Sequence, residues 1–143
     1  MPKEKVIEGD ILLFTLENNK YSLAKILFAS KVFKNVILLG IYGKIIDEKQ
    51  MPNDLPNSYV DTIYTSSKRI TEFGWEKIGN ISVSESDKAL TERNVGGEIY
   101  IEDKFIRIEN ENDAHIPYMG VYGFVALERK IKKIFRIEEN SKP

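Results

Sequence analysis

Short apolar runs alternate with polar breaks along most of the chain, and the runs have the length of strands. Asp10–Leu16 and Tyr21–Phe28 flank Glu17-Asn18-Asn19-Lys20. Asparagine tolerates the left-handed backbone of a tight reversal, so Asn18-Asn19 predicts a hairpin. Both alternating faces of the second run are largely apolar: Tyr21, Leu23, Lys25 and Leu27 on one, Ser22, Ala24, Ile26 and Phe28 on the other. That pattern predicts a strand covered on both sides or lying inside a closed barrel. Val36–Tyr42 predicts a third strand, which Gly40 is expected to bend and Gly43 to end. Pro52, Asn53, Asp54, Pro56 and Asn57 mark 47–58 as a surface loop. Tyr59–Tyr64 predicts a fourth strand, and Lys68–Phe73 and Trp75–Ile78 predict short strands on either side of a kink at Gly74.

Further on, Ser84 and Asp87 have the spacing to cap a single helical turn ending near Leu90. Gly96-Gly97 breaks the chain before Glu98–Ile101 and Lys104–Ile108, which predict a second hairpin about Glu102-Asp103. Only towards the end does the period change. Phe124, Leu127, Ile131, Ile134 and Phe135 recur at helical spacing with basic residues mostly between them, predicting one amphipathic helix. Arg136–Ile137 is also readable as a strand after it. The expected fold is therefore mainly β (α+β): a strongly bent antiparallel sheet or small barrel with a C-terminal amphipathic helix. With 143 residues and no repeat, low-complexity tract or linker, residues 1–143 read as a single domain.

Composition mostly excludes. The chain has no Cys, which removes a disulfide framework, thiol catalysis and thiolate metal sites. Its one His rules out poly-histidine metal ligation within the chain, and no metal or other cofactor is expected. Met1–Asp10 holds Lys3, Glu4, Lys5, Glu8 and Asp10 without an apolar core, unlike a signal peptide. The longest apolar stretches fall far short of the ~20 residues of a membrane helix, so a cytoplasmic protein is expected. The nucleophile motif G-x-S-x-G is absent, and Gly96-Gly97 lacks the spacing of a phosphate-cradling loop. The one histidine, His115, lies in an acidic loop two residues after Asp113 and reads as a solvated or turn residue rather than a catalytic base. No enzymatic activity is expected.

The formal net charge of −1 conceals opposed segments: +2 up to Asp47, −7 from Glu48 to Glu128 and +4 from Arg129 onward. Between Glu98 and Asp113 lie Glu98, Glu102, Asp103, Glu109, Glu111 and Asp113 against Lys104 and Arg107. This stretch is either a solvated hairpin and loop or a docking surface for a basic partner, where complementary fields speed encounter and fix register. The basic C-terminal helix offers an alternative of another class, a small β-barrel nucleic-acid-binding module. It lacks interleaved aromatics and any RNA-binding signature. Trp75, Tyr59, Tyr64, Tyr100, Tyr118 and Tyr122 could anchor an interface. Trp75 fits a core position better.

Two stretches carry a family resemblance when taken together. Val6-Ile7-Glu8-Gly9-Asp10-Ile11-Leu12-Leu13-Phe14, then Lys20-Tyr21-Ser22-Leu23-Ala24-Lys25, is followed later by Gly74-Trp75-Glu76-Lys77-Ile78-Gly79-Asn80. Their G-D pair, K-Y step and W-x-x-I-G segment resemble the bacterial immunity protein 26 family over about residues 6–82. Ile81-Ser82-Val83-Ser84 departs from the small polar or Pro residues usual after that segment. The resemblance implies a mostly β protein of a polymorphic toxin system that neutralises a cognate toxin by binding it, without catalytic residues. Gly9, Asp10, Tyr21, Trp75, Ile78 and Gly79 match the family pattern and read as turn and core residues. The expected toxin-binding residues are those of the acidic stretch.

Overall fold

The structure is a computed structural model that describes residues 6–17, 19–56, 58–68, 70 and 74–135. Strands β1 (Asp10–Glu17) and β2 (Lys20–Ala29) form the first hairpin. Asn19 has a φ of 63° just before the Glu17–Lys20 pair that closes the hairpin, and Asn18 lies outside the described residues. β3 (Val36–Ile46), β4 (Tyr59–Ser66), β5 (Glu76–Asn80) and β9 (Val121–Tyr122) complete a six-stranded sheet in the order β5-β1-β2-β3-β4-β9. All its pairings are antiparallel except the short parallel contact of β9 with β4. The sheet bends through register shifts in four of its ladders and stays open, with β5 and β9 as its two edges. Of the two expected architectures, the bent sheet is the one formed and the closed barrel is not.

Both faces of this sheet are covered, which is why its central strands are largely apolar on both faces. Leu12, Phe14, Ala24, Ile26, Leu39 and Ile41 face Leu127 and Ile131 of helix α2 (Phe124–Ile134). Ile11, Leu13, Tyr21, Leu23 and Tyr42 lie on the opposite face, under Met51 and Leu55 of the long loop. Full burial of one such side chain stabilises the fold by roughly 1.5–3 kcal/mol relative to exposure. Gly43 does not end β3, contrary to expectation. A Cβ there would lie 2.5 Å from Cγ1 of Val60, so the glycine lets β4 cross closely while β3 runs on to Ile46.

After β5 comes α1 (Glu85–Ala89), capped by Ser84 and Asp87 in the expected reciprocal way. A second, three-stranded sheet follows: β6 (Arg93–Val95), β7 (Glu98–Ile101) and β8 (Lys104–Ile108), in that order. The hairpin about Glu102-Asp103 is present, and Gly96-Gly97 forms another turn, between β6 and β7. β6 itself has no counterpart among the predicted strands. Of the Lys68–Phe73 run, Lys68 and Ile70 lie in a turn rather than a strand, and Arg69 and 71–73 lie outside the described residues. Arg136–Ile137 also lies outside them. Among the described residues, no helix is long and apolar enough to cross a membrane.

Candidate binding surface

The two stretches that carry the resemblance meet in space. β1 pairs with β5 so that Asp10 lies opposite Asn80 and Ile11 opposite Gly79. Asp10 is fully buried. Its carboxylate accepts from the Ile7 amide and the Asn80 side-chain amide, both at 2.8 Å, and lies 3.3 Å from Lys77 Nζ. Gly9 has a φ of 92°, and a Cβ there would meet the Ile81 carbonyl at 2.7 Å. Trp75 is buried 4.7 Å from the ring of Phe14, and Tyr21 is buried on the opposite face of the sheet. Ile78 and Gly79 are half-buried, with Gly79 beneath Met51. These six residues build the β1–β5 edge and its core and present little to a partner.

Two buried polar groups join the remaining elements. Lys25 Nζ donates to Asp87 Oδ2 at 3.0 Å and to the Ser82 carbonyl at 2.9 Å, while Tyr59 donates to Asp87 Oδ1 at 2.7 Å. Burial opposes ionisation of Asp87, but the bonds from Tyr59, the Ser84 amide and Lys25 outweigh it and hold the carboxyl below its usual range. Burial first, and then the Asp87 bond, pushes the Tyr59 hydroxyl well above its ordinary value, so it stays a donor. This cluster pins α1 onto the large sheet.

Arg93 is 1% exposed. Its guanidinium lies 5.5, 5.3 and 5.7 Å from the ring centres of Phe28, Tyr64 and Tyr100. One terminal nitrogen donates to the carbonyls of Thr91 and Glu102, while Nε and the other terminal nitrogen have no hydrogen-bond partner among the described residues. Three aromatic faces thus take the place of a carboxylate. Burial pushes the Tyr64 hydroxyl up to about 12, with Arg93 opposing. Phe28 and Tyr64 belong to the large sheet, and Arg93 and Tyr100 to the small one, so this stack fastens the two together.

The acidic stretch divides between structural and surface roles. Asp113 is buried: it pairs with Arg107 and accepts from the Asn110 amide at 3.0 Å, and those contacts hold its carboxyl below the usual range. Asp103 accepts from Ser30 Oγ at 2.6 Å and the Lys31 amide at 2.7 Å, locking the β7–β8 tip onto the end of β2. Glu102 supplies the left-handed turn residue, with a φ of 56°. Glu98, Glu109 and Glu111 remain for a partner. Glu98 is the cross-strand neighbour of Ile108, Glu109 follows it in the chain, and Glu111 is exposed on a short 3-10 helix, Glu111–Asp113.

These carboxylates lie at one end of a strand whose own fold buries none of its residues. All five residues of β8 are exposed, with Phe105 at 49%, Ile106 at 38% and Ile108 at 72%. Tyr118, 70% exposed, donates to Glu109 at 3.3 Å and extends the patch. At the other end, Lys104 and Asp103 border a groove of about 830 Å³ whose apolar lining includes Val6, Ile7, Phe28 and Ala29. Exposed apolar residues on a sheet edge invite association unless they serve it. The acidic residues were legible in the sequence, and so was Lys104–Ile108 as a strand; its role as an exposed apolar surface was not, although three large apolar residues in the five of K-F-I-R-I were its signal.

Other candidates recede. The aromatics of the earlier list are buried or half-buried, apart from Tyr118. His115 is exposed, and its neighbour Asp113 is held by Arg107. On α2, Lys130 pairs with Asp61 at 3.4 Å and sits over Tyr122, and Lys132 lies 3.8 Å from Glu128. Among the described residues, no group of three or more His, Asp or Glu could hold a metal ion. No family model, curated protein or solved structure matches the chain.

Proposed function

We propose that this chain is an immunity-type binding protein that neutralises a cognate bacterial toxin by direct protein–protein contact, in the cytoplasm of the cell it protects. The observation that supports this reading most is β8, an apolar edge strand left exposed along its whole length, with Glu98, Glu109 and Glu111 gathered at its Ile108 end. Apolar anchors flanked by charged residues are an arrangement in which association energy concentrates on the anchors while the charges govern encounter. Occlusion of a toxin's active cleft needs no catalytic group and no cofactor in this chain. The nucleic-acid alternative draws less support, since Lys130 and Lys132 of α2 are ion-paired.

The test is co-expression with the product of an adjacent toxin gene. Rescue of growth and a complex that co-purifies at low salt and weakens at high salt are expected. Absence of both association and rescue would end this reading.

A further inference from the structure

The mode of contact follows from the backbone of β8. Resting on the binding reading above, we propose that the partner adds an extended segment to β8 as a fourth strand of the small sheet, its residues alternating between apolar and basic. Among the described residues, β8 has one neighbouring strand, β7. The Glu109 amide donates to the Gly97 carbonyl at 2.9 Å, on the β7 side. Successive backbone groups of a strand alternate in direction, so the N–H and C=O of Ile108 point away from β7 towards open solvent. An added strand would satisfy them by the same ladder that joins β7 and β8.

β8 differs here from the other free edges. β5 exposes Glu76, Lys77 and Asn80, polar residues that discourage pairing, and β9 is only two residues long. β8 carries one bulge, at Ile106, which has no partner between the Ile99–Arg107 and Tyr100–Phe105 pairs; the Glu98–Ile108 end of the ladder lies beyond it, and the strand offers Phe105, Ile106 and Ile108. The chemistry of the incoming residues follows from charge. The stretch from Glu98 to Asp113 has six carboxylates against Lys104 and Arg107, and those turned outward lie at the Ile108 end of the strand. Basic residues are attracted there, whereas a second copy of this chain would bring two acidic stretches together. At the Lys104 end, the groove over Phe28 and Ala29 adjoins the same strand and has room for an apolar side chain of the added segment.

The full-length protein is titrated at low salt with two fluorescein-labelled decapeptides, one alternating valine with lysine, the other valine with glutamate. The lysine peptide is expected to bind at least about tenfold more tightly. Ile108→Pro removes the outward N–H on an edge where proline is tolerated, and is expected to weaken that peptide at least about tenfold. Ile108→Val should retain wild-type binding. Amide exchange on the wild-type protein gives a readout independent of any variant: the Ile108 N–H should become protected when the lysine peptide binds. Equal affinity for both peptides, an unprotected Ile108 amide, or a wild-type dimer that Ile108→Pro dissolves would overturn strand addition. Toxin rescue that survives in folded Ile108→Pro would overturn strand addition alone. Lysine-peptide binding that behaves as expected, without rescue by the wild-type chain, would leave strand addition standing and remove the immunity reading.

Discussion

β2 in the large sheet buries every residue from Tyr21 to Phe28, Lys25 included, whereas β8 in the small sheet exposes all five of its residues. Both strands are rich in large apolar side chains, so composition does not separate them. Their position does: β2 lies between two strands and under cover on both faces, while β8 has, among the described residues, a single strand neighbour and exposed side chains. Apolar surface inside the first strand holds the fold together. Apolar surface on the second contributes little to the fold and is available to a partner.

The sharpest way to break this contrast is to remove the same side chain from each strand. Ile26→Ala in the fully buried cluster should lower unfolding free energy by about 4 kcal/mol, through lost burial plus the cavity left behind. Ile108→Ala should change it by less than about 0.5 kcal/mol, the usual range for an exposed position. Urea unfolding curves check both. A large loss at Ile108 would mean that β8 is covered by its own chain and unavailable.

Arg93 tests the join between the sheets. Arg93→Ala empties the space between three rings and removes the bonds to Thr91 and Glu102, so a loss of about 3 kcal/mol is expected. Arg93→Met should recover part of it, because an apolar chain fills the same space without a charge to desolvate. If the small sheet were fastened chiefly by Asp103 on Ser30 and Lys31, Arg93→Ala would be nearly silent and Asp103→Ala severe.

The buried Lys25–Asp87 pair should show in acid. Its folded carboxyl lies below the ordinary 3.8, so its stabilisation is fully present above that value and is lost as pH falls through the lowered folded pKa. Asp87→Asn should cost about 2 kcal/mol near neutrality by leaving Lys25 without its counter-charge, and should flatten the acid limb of the stability profile. Denaturant midpoints between neutrality and strongly acid pH check the slope. An unchanged acid limb in the variant would place the pH dependence elsewhere, with Asp113 the next carboxylate to replace.

Much of the fold was legible because its causes are local. Asn19, the loop prolines, Ser84 with Asp87, and the helical spacing of Leu127 and Ile131 act over a few residues, and the structure follows them. Gly43 misled because its role depends on Val60, seventeen residues on and across the sheet. β6 was missed because Arg93 and Asn94 look like a polar loop; only three rings drawn from β2, β4 and β7 make Arg93 a core residue. The acidic stretch shows the same limit. Sequence counts carboxylates equally, while the fold turns Asp103 towards Ser30 and Asp113 towards Arg107 and leaves Glu98, Glu109 and Glu111 at the surface.

That division yields the finest test of the contrast between fold-building and partner-facing residues. Glu98→Lys and Glu111→Lys reverse two exposed carboxylates and should alter stability by less than about 0.5 kcal/mol. In a complex with a basic partner they should slow association several-fold, reduce its salt dependence and leave dissociation nearly unchanged, because rim charges act mainly during approach. Asp113→Asn should behave oppositely. It weakens the hold on Arg107 and the cap on Asn110, so the 3-10 turn loosens and thermal stability falls before any effect on association rate appears. Stopped-flow association measured at two salt concentrations, beside melting curves for the three variants, separates the two kinds of carboxylate. Equal behaviour of all three would dissolve the distinction.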